Sequence, residues 1–219
     1  MGEPRAVILR IVKRNAVSPS GRDGGRGGAK GGAVSLDPRL REPQALAALR
    51  TAFRRDGAIA ISGALTAASL RALHAATSRG FTRTFVPDRY SYGAMPLHAD
   101  MGGIVSFVES ITGSSSKMSG LGAIPAGSVA RFGHGDYTLL HDNLPVAPAH
   151  RIVAFVVIDD WDASSGGDIV WTRDGETLLR LSIMKNILYV IREEKGSRAF
   201  VKYVNHRAGR TSFRLILLS

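Results

Sequence analysis

Cysteine is absent from the chain, which excludes disulfides and thiolate metal ligands and leaves the redox compartment undetermined. No apolar run approaches the ~20 residues that a membrane-spanning helix needs. The opening MGEPRAVILRIVKRN has a short apolar stretch but neither a long hydrophobic segment nor a cleavage pattern, so it does not read as a secretory signal. These absences describe a soluble, cytoplasmic protein without a membrane partner. Acidic residues are scarce: 18 Asp and Glu stand against 29 Lys and Arg, a formal net charge of +11. Such an excess suggests nucleic acid, yet no zinc-finger, helix-turn-helix or RNA-recognition signature accompanies it. The charge is also unevenly spread. Residues 1–30 carry seven Lys and Arg against Glu3 and Asp23, which is +5 of the total. Any polyanion contact is therefore assigned to a basic tail, of a kind that is often only solvated.

What is present suits one sizeable domain with an appendage. The chain has 219 residues, 44% of them hydrophobic, enough to build a core. Residues 21–32, GRDGGRGGAKGG, contain seven glycines and no large apolar side chain, so they cannot offset the entropy of ordering. The division is a basic, Gly-rich flexible tail at 1–34 and a folded domain at 35–219. Gln44 to Arg55 spaces Leu46, Leu49 and Phe53 as an amphipathic helix. AIAIS (58–62) suits a buried strand. Ala67 to Ser78 reads as a second helix with Thr66 as its N-cap. Residues 81–99 read as irregular, with Arg83, Arg89, Tyr90 and Tyr92 available to line a pocket. Asp100 to Thr112 reads as a third helix, capped by Asp100. From Ser128 the texture changes to eight short segments separated by breakers: SVARF, YTLLH, RIVAFVVI, DIVWT, ETLLRLSI, NILYVI, AFVKYV and TSFRLILL. Short strands at this spacing indicate an antiparallel sandwich or barrel. The expected class is mainly β with supporting α, a jelly roll (double-stranded β-helix) with N-terminal helices packed on one sheet.

One stretch holds most of the chemistry. SVARFGHGDYTLLHDN (128–143) packs His134, Asp136, His141 and Asp142 into a strand-like segment, where buried imidazole and carboxylate are costly unless bonded or metal-bound. A non-haem iron(II) site needs two imidazoles and one carboxylate on one face of the metal. Residues i and i+2 of a strand point the same way, so His-x-Asp presents two ligands to one pocket. An Arg on a neighbouring strand can hold a keto-acid carboxylate through a bidentate pair. His134-Gly-Asp136 is itself such a pair.

GDYTLLHDN (135–143), RIVAFVVIDDWDASSGGDIVW (151–171) and GRTSFRLILLS (209–219), in that order, resemble the iron(II)/2-oxoglutarate-dependent oxygenases, in particular the prolyl-hydroxylase-like branch. FRRDGAIAISGALTAASLRAL (53–73) and ESITG (109–113) look like that family's helical support. The resemblance covers roughly residues 43–219. It implies Fe(II) and 2-oxoglutarate as cofactors and oxidation of a C–H bond in a small-molecule or amino-acid-like substrate. It places His141 at the first ligand position and Asn143 where the family has Asp or Glu. Arg210 takes the 2-oxoglutarate position, with Ser212 beside it, Tyr137 as helper and Arg214 as the alternative anchor. The second imidazole falls on Val201, which cannot bind metal. Three ways to complete a site stay open: His206 as the second imidazole, Asp142 as the carboxylate, or His134 and Asp136 with His141. The alternative is a non-catalytic jelly roll with a degenerate site, acting as a binding or scaffold protein. His98, His150, Asp159, Asp160 and Asp162 read as surface or turn residues, Asp168 as the start of a strand, and Trp171 as core.

Overall fold

The computed structural model describes residues 33–114, 118–140, 147 and 151–219. The flexible tail expected at 1–34 lies, apart from its last two residues, outside them. Val34 already belongs to the core, and its N–H donates to the Asp100 carbonyl at 3.0 Å. Helix α1 (Pro43–Asp56) begins with Pro in its first turn and buries Leu49, Ala52 and Phe53. It stops at Gly57, which takes the left-handed φ of 72° that a non-Gly residue resists. Strand β1 (Ala58–Ser62) follows. Helix α2 (Ala67–Ala76) is capped as expected, the Thr66 hydroxyl accepting from the Ser69 N–H at 3.2 Å. Helix α3 (Gly102–Thr112) has Met101 at its cap, while the Asp100 carboxylate accepts from the Gly102 N–H at 2.9 Å.

Residues 81–99 are not irregular. They form an antiparallel hairpin, β2 (Thr82–Val86) and β3 (Tyr90–Pro96), turned at Asp88 with φ 57°. The segment lacks the aliphatic alternation that signals a strand, since its buried residues are Ser91, Tyr92 and Gly93. Each of the eight later segments yields a strand: β4 (Ser128–Gly133), β5 (Tyr137–Thr138), β6 (Ile152–Val157), β7 (Ile169–Arg173), β8 (Glu176–Leu181), β9 (Ile187–Arg192), β10 (Arg198–Val201) and β11 (Ser212–Leu217). The main sheet runs β1-β9-β6-β11-β4-β3-β2, with β5 attached to β3, and a smaller sheet runs β10-β7-β8. All the strand pairings are antiparallel.

The main sheet is covered on both faces, which is why β6 is apolar at every position rather than alternating. Val153, Phe155 and Val157 face the small sheet, while Ile152, Ala154 and Val156 lie under the helices. This is a jelly roll with helices packed on one sheet. No helix among the described residues is long and apolar enough to cross a membrane.

Rings fill one end of the space between the sheets. Tyr92, Phe132, Phe213 and Trp161 follow one another across β3, β4, β11 and the loop after β6, with centroids 5.5, 5.4 and 4.8 Å apart. Burial, with Tyr90 nearby, pushes the Tyr92 phenol up to about 12. The Trp161 indole N–H donates to the Gly166 carbonyl at 2.8 Å. Gly167 lets the ladder close: a Cβ there would lie 2.7 Å from the Phe213 ring, and φ is 82°. Gly167→Ala is therefore expected to cost about 2 kcal/mol or more by urea denaturation, from overpacking and backbone strain together.

On the opposite face of β11, Arg214 is almost buried and forms a bidentate pair with Asp159 at 2.8 and 2.5 Å. Its Nη1 also donates to the carbonyls of His74 and Thr77 at the end of α2, at 3.3 and 3.1 Å. Nη2 donates to His74 Nδ1 at 2.6 Å. A guanidinium only donates, so the His74 ring proton sits on Nε2 and bonds the Ile158 carbonyl at 2.7 Å. Asp159, expected in a surface turn, is thus the counter-charge that lets Arg214 sit there. Arg214→Met would leave the largely covered Asp159 carboxylate without its partner. Urea denaturation should then show a loss of about 3 kcal/mol.

Candidate functional site

The β4–β5 turn and the start of β11 meet at the ladder end of the sandwich, where the expected ligands were placed. His134 lies exposed in the turn, whereas Asp136 two residues later is buried. The Asp136 carboxylate accepts from the Gly133 N–H at 2.9 Å and the Ser91 hydroxyl at 3.1 Å, and it pairs with Arg83 at 2.5 Å. Arg83 also donates to Ser91, closing a three-residue network. Both oxygens of Asp136 are therefore committed to the chain itself. Of the expected pair, His134 is exposed to solvent while the Asp136 carboxylate holds the turn. Arg83 and Ser91, from the unexpected hairpin, are the residues that the linear motif could not reveal.

The same turn is tied to β10. The Gly135 N–H donates to the Val204 carbonyl and the Val204 N–H to the Asp136 carbonyl, each at 2.9 Å. Thr138, buried on β5, accepts the Val201 N–H through its hydroxyl at 2.6 Å. Val201 is itself fully buried among the inward-facing side chains. His206 stands exposed in a short 3₁₀ turn five residues later and faces none of these groups through a hydrogen bond or ion pair among the described residues.

Arg210 lies exposed in the turn before β11 rather than on the strand. Ser212 opens the strand opposite Gly133 in the ladder. Tyr137 is half-buried, its ring 6.3 Å from that of Tyr203. The alternative anchor, Arg214, lies on the helix-facing side, bonded to Asp159. The residues that β11 and β10 turn inward are Phe213, Leu215, Leu217, Ala199 and Val201. No cation stands among them to receive a dicarboxylate. Asp168, expected to begin a strand, stands just before β7, buried and paired with Arg180 at 2.8 Å. His141, Asp142, Asn143 and His150 lie outside the described residues. Among the described residues no three His, Asp or Glu side chains gather into a group able to hold a metal.

The fold has counterparts in solved structures. A Pseudomonas putida prolyl-4-hydroxylase superposes with a TM-score of 0.54, covering 78% of this chain and 96% of that one at 13% identity. A Trichoplax adhaerens prolyl hydroxylase, solved with a hypoxia-inducible-factor degradation-domain peptide, gives 0.53 over 80% and 89% at 13% identity. A Burkholderia pseudomallei oxidoreductase of the 2OG-Fe(II) oxygenase family gives 0.53 over 79% and 90% at 11% identity. The fold is that of the prolyl-hydroxylase-like 2-oxoglutarate oxygenases. No family model matches the chain. In sequence it is 30% identical over 87 residues to the Xenopus laevis prolyl 3-hydroxylase OGFOD1, which is 38% of this chain and 17% of that protein. The mouse protein matches at 30% over 84 residues, 37% of this chain and 15% of that one. The chain thus aligns with less than a fifth of the length of these curated relatives.

Against that oxygenase fold, the described residues do not fit its cofactors. An iron site needs a second imidazole where Val201 is buried, and a 2-oxoglutarate site needs an inward cation where β11 offers Phe213. The Asp136 network has a structural role that can be measured. Asp136→Ala orphans the Gly133 N–H and the Ser91 hydroxyl and is expected to cost about 2–3 kcal/mol in urea denaturation.

Proposed function

We propose that this chain is a non-catalytic protein of the oxygenase fold, which keeps the barrel as a binding or scaffold module and lacks an iron/2-oxoglutarate centre. The observation that carries this reading is the apolar interior at the ladder end, with Val201 buried and clamped by Thr138 and no cation turned inward from β11. An iron/2-oxoglutarate centre there would require an imidazole for the metal and a cation for the keto-acid, which β10 and β11 do not supply. Asn143, where the family has a carboxylate, points the same way, since an amide oxygen brings no charge to hold the ion.

A catalytic reading retains specific support. His141 keeps the first ligand position in the sequence resemblance, and the curated relatives that match are prolyl 3-hydroxylases. On that reading the protein would hydroxylate a small molecule or side chain with Fe(II) and 2-oxoglutarate, and residues outside the described set would have to complete the site.

Anaerobic titration with iron(II) and 2-oxoglutarate separates the two. The wild-type chain is expected to give no weak visible charge-transfer band. A band that appears in the wild type and disappears in His141→Ala would overturn the proposal. The double variant Val201→His with Asn143→Asp is expected to gain iron(II) affinity over the wild type by equilibrium dialysis. Unchanged affinity in a folded double variant would show that Val201 and Asn143 do not occupy ligand positions.

A further inference from the structure

The end of the sandwich away from the aromatic ladder is not filled. A cavity of about 240 Å³ lies there between the edge of the main sheet and the edge of the small one. The pairing of β1 with β9 sets Ala58 beside Ile191 and Ala60 beside Tyr189 on the inward face. Across the gap stand Trp171 and Leu179, which are cross-strand partners on β7 and β8. Facing sheets lie ~10 Å apart, and that space is normally filled by large side chains from both layers. Two alanine methyls on one wall leave it short of volume. Small residues at inward positions leave the cavity unfilled, and it opens to solvent at a rim of exposed residues such as Arg180, Met184 and Glu194.

The polar groups in the walls are already bonded. The Trp171 indole N–H donates to Glu193 Oε1 at 3.0 Å, and Glu193 is buried and paired with Arg151. The Tyr189 hydroxyl donates to the Ser182 carbonyl at 2.7 Å, and burial pushes its phenol above the ordinary range. At the rim, Arg180 is held by Asp168, and the Arg192 guanidinium lies 5.6 Å from the centre of the Phe53 ring. The remaining charged residues of the lining, Asp56, Arg192 and Glu194, stand toward the rim, and the inner walls are apolar apart from these bonded groups. An apolar cavity of ~150 Å³ already takes up benzene, so this one has room for more than one ring.

We infer that the cavity between β1/β9 and β7/β8 is a binding site for a neutral, predominantly apolar small molecule of about two fused or linked rings. The ligand enters between the edges of β1 and β8 and is held by shape and apolar area. The site stands at the opposite end of the sandwich from Val201 and Phe213, so its occupancy is independent of whether iron binds there.

The test uses the full chain and the neutral fluorophore N-phenyl-1-naphthylamine. Saturable 1:1 binding is expected, with enhanced, blue-shifted probe emission and quenching of tryptophan fluorescence, because Trp171 forms a wall. Ala60→Leu fills the cavity and is expected to weaken binding on the order of tenfold or more, with the melting temperature kept or raised. Ala58→Val fills less and should weaken binding by a smaller factor, which decides the matter if the leucine variant does not fold. Iron(II) and 2-oxoglutarate should leave probe affinity unchanged. Absence of saturable binding to the wild type, or affinities of the folded filling variants within twofold of it, would overturn the inference. Displacement of the probe by iron(II) with 2-oxoglutarate would overturn the separation of the two ends.

Discussion

Arg214 is the charge around which the helical layer is fixed to the sheet. It sits on the central strand β11 with its guanidinium turned away from the barrel interior, where Asp159 neutralises it and the end of α2 supplies carbonyl acceptors. A cation at a helix C-terminus is favourable against the helix dipole, and here the same group also closes an ion pair. The loop leaving β6, the last turn of α2 and the middle of β11 therefore share one anchor. Loss of either charge would strand the other in a place with little water.

Two ends of one sandwich have been filled differently. At one end, rings from β3, β4 and β11 stack across strands, and the glycines at 166 and 167 let the following loop press against them. At the other, alanines on β1 face leucine and tryptophan across a gap. A protein interior packs at crystal-like density, so volume supplied at one place does not compensate for volume missing at another. Among the described residues, the ladder end is thus the dense one. The other end is the open one.

Much of the fold was legible because its signals are local. Thr66 marked the start of α2, the DG at 56–57 marked the end of α1, and the unbroken apolar run of β6 reflected a strand covered on both faces. The β2–β3 hairpin escaped because its buried residues are serine, tyrosine and glycine, which carry no hydrophobic alternation. The site was harder to read. His-Gly-Asp at 134–136 has the spacing of a metal pair, yet the turn rotates His134 outward while Asp136 finds Arg83 and Ser91 some 50 residues away by sequence. Likewise the sequence offers Arg210 as anchor with Arg214 as the alternative. Only the strand register shows that Arg210 precedes β11 and that Arg214 faces the helices. Asp159 looked like a surface residue for the same reason, since its partner lies on another strand.

The position of β11 also governs when the structure can assemble. It pairs with β4 on one side and β6 on the other, so without it the main sheet falls into two pieces, β2-β3-β4 with β5, and β6-β9-β1. Both pieces precede it in sequence. During synthesis each piece waits with an unpaired apolar edge until residues 212–217 have emerged, a state exposed to edge-to-edge association. The wait is compounded by the pairing of β1 with β9, which closes a loop of well over a hundred residues. Folding of this chain is therefore set to be slow, late and cooperative, with its final strand acting as the zipper of the whole sheet.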